Sequence, residues 1–327
     1  MRVAPQALRY PFERVLLART KLAYVHLGNL LTDAKRDRAA RVFGYVVVWL
    51  PEEALILYLQ EGEVVAATST TDASRFTDVP IREALHRVPH AAEYGEICFH
   101  EAADEQLACM HAAQTLEPEP WPPAVRAANA TAVLGHLAAI TYDGMLEVNA
   151  GGAISYAALR NGVAERAYLA DTGTSEQPRE IERALHAIWA ASPTPPLVRR
   201  WEVPQPLPNQ AAPALIDAYR ALVRGLVDRL TREGVRSPAQ LVDRARQSLA
   251  TKHPLLERFG GASTTQDPVT TAPQLAGAVG ALVTDVLWAA SLPDAVSPEA
   301  VLRDLTRERR HLFQSAGFFE TLSWKVW

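Results

Sequence analysis

Cysteine is nearly absent from this 327-residue chain, which has only Cys98 and Cys109. Two thiols cannot build a disulfide framework, so a reduced, cytoplasmic setting is the simplest reading. A surplus of positive charge is missing too. The 33 Lys and Arg against 37 Asp and Glu give a formal net charge of −4, so no global basic field holds a nucleic-acid backbone and no nucleic-acid partner is expected. The most apolar long stretch, Leu275–Ala290, contains Thr284 and Asp285 and falls short of the roughly 20 residues that span a bilayer. No membrane insertion is expected. Met1–Glu13 is polar and broken by prolines, unlike a secretory leader. There is no Walker loop, dinucleotide fingerprint, nucleophile elbow or His-Glu-x-x-His, so no catalytic or cofactor-binding residue is nominated. What is abundant is apolar side chain. Hydrophobic residues make up 48% against 21% charged, a balance that supplies real cores, and the length suggests two or three domains.

An internal repeat organises the first two thirds. Gly44-Tyr45-Val46-Val47-Val48 and Leu59-Gln60-Glu61-Gly62 return one hundred residues later as Gly144-Met145-Leu146-Glu147-Val148 and Leu159-Arg160-Asn161-Gly162. Ala84-Leu85-His86 matches Ala184-Leu185-His186 at the same offset. Upstream, Leu27-Gly28-x-Leu30 matches Leu134-Gly135-x-Leu137 with the offset changed to 107. Each copy reads as a helix (22–40 and 125–140) and three strands (44–50, 54–60, 63–69; 144–149, 153–159, 163–169). A second helix (81–88; 179–190) and a closing strand (96–101; 197–203) follow. Glu61-Gly62 and Asn161-Gly162 predict tight two-residue turns. Proline-rich segments at 117–123 and 204–212 predict stiff spacers.

From Pro213 strand signals vanish. Leu215, Tyr219, Leu222, Leu226 and Leu230 form one apolar stripe, Gly234 reads as a C-cap, and Ser237-Pro238 and Ser297-Pro298 read as helix starts. Leu275–Ala290, apolar nearly all round, predicts the central helix of about four. The fold class is therefore α+β: two tandem α-β-β-β-α-β units (1–116 and 124–205) followed by an all-α bundle (213–327).

The one constellation with metal-like spacing is Cys98-x-His100 with Cys109-x-His111. Residues two apart on a strand share a face, so Cys98 and His100 offer a thiolate and an imidazole together. Residues 103–114 read as helix, where i and i+2 diverge. A zinc site and a set of buried thiols with surface histidines both stay open. His86 and His186 recur without a shared carboxylate. Gly260–Thr265 offers a phosphate cradle or a plain linker. Arg307, Arg309 and Arg310 form a basic helix face. The aromatic terminus splits between core and docking surface, with Phe318, Phe319, Trp324 and Trp327 as candidate partner-binding residues.

The Gly144–Val148 strand, the Gly-Gly turn and Asn161-Gly162-Val163 resemble the core of bacterial PATAN domains. The same frame in the first copy is Gly44, Tyr58, Gly62, Val64, Ala66 and Ala67, and Gly95-x-Ile97-x-Phe99 is similar to that family's closing strand. Arg199-Arg200-Trp201 departs from it. The resemblance implies a non-enzymatic signalling adaptor in bacterial motility, polarity or regulation. Its implied partners are other signalling proteins such as response-regulator or small-GTPase (roadblock-associated) modules, and it implies no cofactor. Strand edges such as Glu63–Ser69 offer a route to partner strands or homo-oligomers. The rival is a metal- or ligand-binding sensor built on Cys98, His100, Cys109 and His111.

Overall fold

A computed structural model of the chain describes residues 5–36, 42–72, 75–90, 92–123, 125, 129–170, 173–259, 266–293 and 295–327. The protein is α+β, with helices and antiparallel sheets in two compact units. One unit comprises Met1–Val79 and Ala84–Leu207; the other comprises Pro80–Glu83 and Pro208–Trp327.

The first unit holds two sheets. The first sheet contains β1 (Arg14–Lys21), β2 (Gly44–Trp49), β3 (Ala54–Gln60), β4 (Glu63–Thr70), β5 (Thr77–Asp78) and β6 (Glu96–Glu101), in the order β1-β6-β2-β3-β4-β5. With it run helices α1 (Leu27–Arg36), α2 (Ile81–His90) and α3 (Asp104–Thr115). Helix α4 (Ala130–Ala139) leads to β7 (Gly144–Ala150), β8 (Ala153–Arg160) and β9 (Val163–Leu169). Then come β10 (Gly173–Ser175), α5 (Pro178–Ala191) and β11 (Leu197–Trp201), and the second sheet runs β10-β9-β8-β7-β11.

The two sheets repeat each other in register. Gly44 faces Leu59 and Gly144 faces Leu159; Ile56 faces Thr68 and Tyr156 faces Tyr168. Even the irregularity recurs, between Tyr58 and Leu59 in one sheet and Ala158 and Leu159 in the other. The turns explain this constancy. Glu61 and Gly62 have φ of 51° and 79°, Asn161 and Gly162 of 50° and 75°, the doubly left-handed pair that matches strand twist. Gly62 also donates its N–H to Val42 and Gly162 to Tyr142. A Cβ on either glycine would collide with helix backbone, at Ala34 in α1 and at Leu137 and Ala138 in α4.

That contact corrects the helix alignment. Ala34 and Leu137 are equivalent, an offset of 103, so the Leu-Gly-x-Leu match at 107 lies about one turn out of structural register. The first helix is also shorter than 22–40, because β1 and a short helical turn at Leu22–Tyr24 precede α1 and residues 37–40 lie outside the described set. Strands β1, β5 and β10 carried no clear sequence signal; β1 is exposed along most of its length and the other two are very short. Strand β5 pairs with Thr68 and Ser69, so the edge at Glu63–Ser69 is closed at one end. Nor is 117–123 a free spacer: Glu119 donates its N–H to the Arg200 carbonyl at 2.8 Å and the Trp121 indole donates to Val198 at 3.1 Å.

Both faces of both sheets are covered. Strand β2 shows why its sequence runs apolar without alternation. Val46 and Val48 pack outward with Leu27 and Leu31 of α1 and Ala84 and Val88 of α2. Tyr45, Val47 and Trp49 face inward, into one core shared with Met145, Tyr156 and Tyr168 of the second sheet. Helix α3 contributes Leu107 and Met110 to that core, and its nine consecutive residues Gln106–Gln114 are all buried. A helix between layers is buried on every side, and the polar residues it carries there are hydrogen-bonded: Gln106 donates to the Pro11 carbonyl, Gln114 accepts from the Tyr58 hydroxyl and His111 pairs with Asp78. Outside the second sheet, Val133 and Leu137 of α4 and Leu185 of α5 pack on Leu146, Val148 and Leu159.

Among the described residues from Pro208 onward there are α6 (Pro213–Arg232), α7 (Pro238–Leu249), α8 (Leu255–Arg258), α9 (Ala272–Ala289), α10 (Pro298–Thr306) and α11 (Arg310–Ser315), six helices where the sequence suggests about four. The predicted stripe on α6 is buried in full. Gly234, at φ 78°, ends α6, with Val235 N–H bonded to Leu230 and Gly234 N–H to Thr231. Ser297 caps α10 through its side chain, but Ser237 has φ 52° and makes no side-chain cap bond. The two Ser-Pro helix starts therefore differ in their cap geometry. Helix α9 is long and apolar enough to cross a membrane by length and composition, and in this unit nine of its residues are buried in the helical core. Its start is a capping box, Thr271 with Gln274.

Candidate functional site

The four Cys and His candidates separate into two places. Strand β6 sets Cys98 opposite Val47 and His100 opposite Tyr45 on the inner face. The Tyr45 hydroxyl donates to the Pro11 carbonyl at 2.9 Å, and His100 Nδ1 lies 2.9 Å from the Tyr45 hydroxyl oxygen. With the phenolic hydrogen committed to Pro11, we assign the Nδ1–H of His100 as the donor to Tyr45. The Phe12 ring stacks at 4.5 Å on the imidazole. A cavity of about 380 Å³ opens here, with Tyr10, Phe12, Arg19, Cys98 and His100 on its wall. Burial pushes the His100 pKa down to about 4 and the Cys98 thiol up to about 12. Both groups are neutral near pH 7, which suits neither a thiolate ligand nor a nucleophile.

Cys109 and His111 ride on α3 and point apart, as helical i and i+2 positions must. Cys109 is buried in the shared core, and desolvation, then Glu105, raises its thiol pKa to about 12. His111 Nε2 reaches Asp78 Oδ1 of β5 at 2.8 Å, with its ring edge-on to Tyr58. Strands β6 and β5 stand four places apart in the sheet order, about 19 Å at the usual spacing near 4.8 Å. The structure therefore does not bring His100 and His111 together, and among the described residues no group of three or more His, Cys, Asp or Glu is arranged to hold a metal.

The second sheet does something different at the matching place. Val47 and Cys98 correspond by strand pairing to Glu147 and Arg199. The Glu147 side chain is 2% exposed and accepts two bonds from the guanidinium, at 2.9 and 2.6 Å. Burial raises the Glu147 pKa, and Arg199 opposes that shift. Trp201 takes the place of His100, and its indole donates to Leu116 at 3.2 Å. Neither member of this ion pair is among the site residues the sequence nominates. The available signal was Glu147 inside an apolar strand together with Arg199 in the departing closing strand.

The C-terminal aromatics divide cleanly. Phe318 is fully buried and packs with Tyr219 and Phe313, and Phe319 is half-buried against the same cluster. Both serve the core, which corrects their assignment as partner-binding residues. Trp324 stacks at 5.6 Å on Trp288, which is 70% exposed, and Trp327 lies under Arg310 at 4.3 Å and Arg303 at 5.9 Å. Trp288 is not among the residues the sequence nominates, because it sits in the last turn of a helix whose apolar run reads as core. Of the other candidates, Arg307 pairs with Asp304 at 3.0 Å, and His186 lies 3.9 Å from Glu182 while His86 is exposed. Gly260–Thr265 lies outside the described residues.

No family profile, no curated protein and no solved structure matches this chain.

Proposed function

We infer that the chain is a non-enzymatic, cytoplasmic adaptor of bacterial signalling, made of two PATAN-like α-β-β-β-α-β units at 1–116 and 124–205 and an all-α bundle at 213–327. The observation that carries this reading is the exposed Trp288 and Trp327, with the half-buried Trp324 stacked on Trp288 and with Arg303 and Arg310 over Trp327. Tryptophan and arginine dominate the energetics of protein interfaces, because each buries a large rigid area while keeping a polar handle. The guanidinium groups over Trp327 favour an acidic face on the partner, in keeping with a signalling protein such as a receiver or small-GTPase module. The matching registers of the two sheets support the tandem-unit part of the reading.

The test is affinity capture from native bacterial lysate with the full chain and with a W288A/W324A/W327A variant, read by mass spectrometry and checked by reconstitution from purified proteins. The expected result is a partner bound directly by the wild type and lost with the variant. A partner retained in full by the folded triple variant, or a catalytic turnover by the purified chain, overturns the reading.

A further inference from the structure

The inner face of the first sheet leaves one good acceptor without a donor. A chain of two bonds decides which atom it is. The Tyr45 hydroxyl gives its hydrogen to Pro11, so its oxygen accepts from His100 and the imidazole proton sits on Nδ1. Nε2 of the neutral ring then carries a lone pair. Among the described residues that nitrogen meets no donor, and it is not sealed from solvent. Burial holds the ring in its neutral form, so the lone pair is present near pH 7.

His100 lines the half-open cavity of about 380 Å³ on this face, and the wall around it is aromatic. The Phe12 ring stacks on the imidazole at 4.5 Å, Tyr45 meets it edge-on at 5.3 Å, and Trp49 lies further along the wall. No carboxylate is among the described residues that line the space. Its two cations are committed: Arg19 bonds to Glu96 and the Gln6 carbonyl and stands over the Trp49 ring at 4.1 Å, and Arg9 is already engaged. A chamber with aromatic walls, no available charge and one fixed acceptor selects a flat, neutral molecule that brings a donor. An apolar cavity of about 150 Å³ takes up benzene, so the volume here admits a two-ring system even with its mouth open to water.

The second sheet offers no such acceptor at the matching place. Trp201 stands where His100 does, is 3% exposed and donates its indole N–H to Leu116 at 3.2 Å, and tryptophan carries a donor only. Glu147 and Arg199 hold each other where Val47 and Cys98 line the cavity. The open acceptor belongs to the first sheet.

We propose that the inner face of the first sheet binds a neutral two-ring aromatic molecule bearing an N–H or O–H donor, with that donor on His100 Nε2 and its rings beside Phe12 and Trp49. The proposal rests on the His100 tautomer and the cavity around it. It is independent of the adaptor reading, which the tryptophan surface carries.

The test is calorimetric titration of the purified full chain with indole, naphthol and N-methylindole, with the histidine ring nitrogens followed by NMR on isotope-labelled protein. Indole and naphthol are expected to bind saturably. N-methylindole, of nearly the same shape but without a donor, is expected to bind about tenfold more weakly, the loss of one ordinary hydrogen bond. Indole should move the Nε2 resonance of His100 and leave Nδ1 on Tyr45. His100→Phe keeps a ring against Phe12 and removes the acceptor, so indole and N-methylindole should then bind alike. Ala170→Leu narrows the cavity and leaves His100 in place, and should weaken indole at least about tenfold. Thermal melts check that both variants fold. Absence of saturable binding of either donor to the wild type overturns the proposal, as does undiminished binding to a folded Ala170→Leu protein. Equal binding of indole and N-methylindole to the wild type overturns the role given to Nε2.

Discussion

In the first sheet the counterparts of Glu147 and Arg199 are Val47 and Cys98, so the chain carries its own apolar isostere of the buried ion pair. That allows a double-mutant cycle with native replacements: Glu147→Val, Arg199→Cys, and both together. Removing Arg199 alone strands a carboxylate that is 2% exposed, and breaking a buried pair in this way costs about 3–5 kcal/mol. Removing Glu147 alone should cost less, about 3 kcal/mol or below, because the Arg199 side chain is 24% exposed and can turn toward water. The double replacement removes both desolvation costs but puts Cys where the larger Arg199 packed, so it should recover much of the Arg199→Cys loss while staying below wild type. The sign of the pH dependence follows from the raised Glu147 pKa. A carboxyl that holds its proton to higher pH when folded adds stability that is fully present below its unfolded value of about 4.3 and is lost as pH rises through its folded value. Arg199 opposes the shift, so Arg199→Cys should lose stability more steeply than wild type as pH rises. Urea unfolding at several pH values, with midpoint and slope fitted separately, measures all of this. An Arg199→Cys cost under about 1 kcal/mol, or a double variant no more stable than Arg199→Cys, would refute the argument that the pair is held by mutual compensation in the core.

Three further outcomes follow from the same geometry. The folded His100 pKa near 4 lies below its unfolded value of about 6.5, so His100 contributes stability that is present above pH 6.5 and lost as pH falls toward 4; the slope of urea midpoint against pH over that window should flatten in His100→Phe, and an unchanged slope contradicts the assignment. Cys98 and Cys109, with thiols pushed up to about 12, should be inert to Ellman's reagent in the native protein and both react in denaturant, whereas rapid native labelling would show that the shared core is open. Gly162→Ala should lower Tm more than Gly151→Ala, since both positions carry the left-handed strain of about 1–3 kcal/mol but only Gly162 would also drive a Cβ into the α4 backbone; equal effects would mean that helix contact does not fix the turn.

Much of this fold is legible in the sequence because its strongest determinants are local. Strand β3 and strand β9 begin and end where the apolar runs and the two-residue turns place them, since a glycine with positive φ can stand in few other positions. The shared core was not legible. Tyr45, Val47 and Tyr156 read as ordinary strand residues, and only their packing shows that the inner faces of the two sheets meet around α3. The same limit explains the Cys and His candidates. A spacing of two on a strand does put Cys98 and His100 on one face, but which strand lies opposite is set by pairing more than forty residues away. Burial then makes both groups neutral, a property that depends on surroundings and not on the motif. The aromatic terminus was half legible, because an apolar stripe reports which residues seek a core and does not say which of them find room.

The comparison of the two sheets also changes where function is sought. The residues that recur at the hundred-residue offset do structural work: Gly62 and Gly162 approach helices, Gly44 and Gly144 approach the carbonyls of His100 and Trp201, and Ala84 and Ala184 face the sheet from α2 and α5. His86 and His186, the recurring pair that first suggests a site, stand on the outside of their helices, one exposed and one half-exposed. The positions that carry unusual chemistry are those where the sheets differ. Val47 and Cys98 against Glu147 and Arg199 change the inner face; Glu53 and Arg87 against Ala153 and Ala187 change the outer one. A duplicated backbone tolerates such exchanges because register is fixed by turns and pairing, which leaves side chains between fixed points free to diverge. One sheet therefore carries its ion pair on the outer face, between Glu53 and Arg87, and the other carries its pair on the inner face, between Glu147 and Arg199. This inversion, more than any motif the two halves share, separates the chemistry of the second sheet from that of the first.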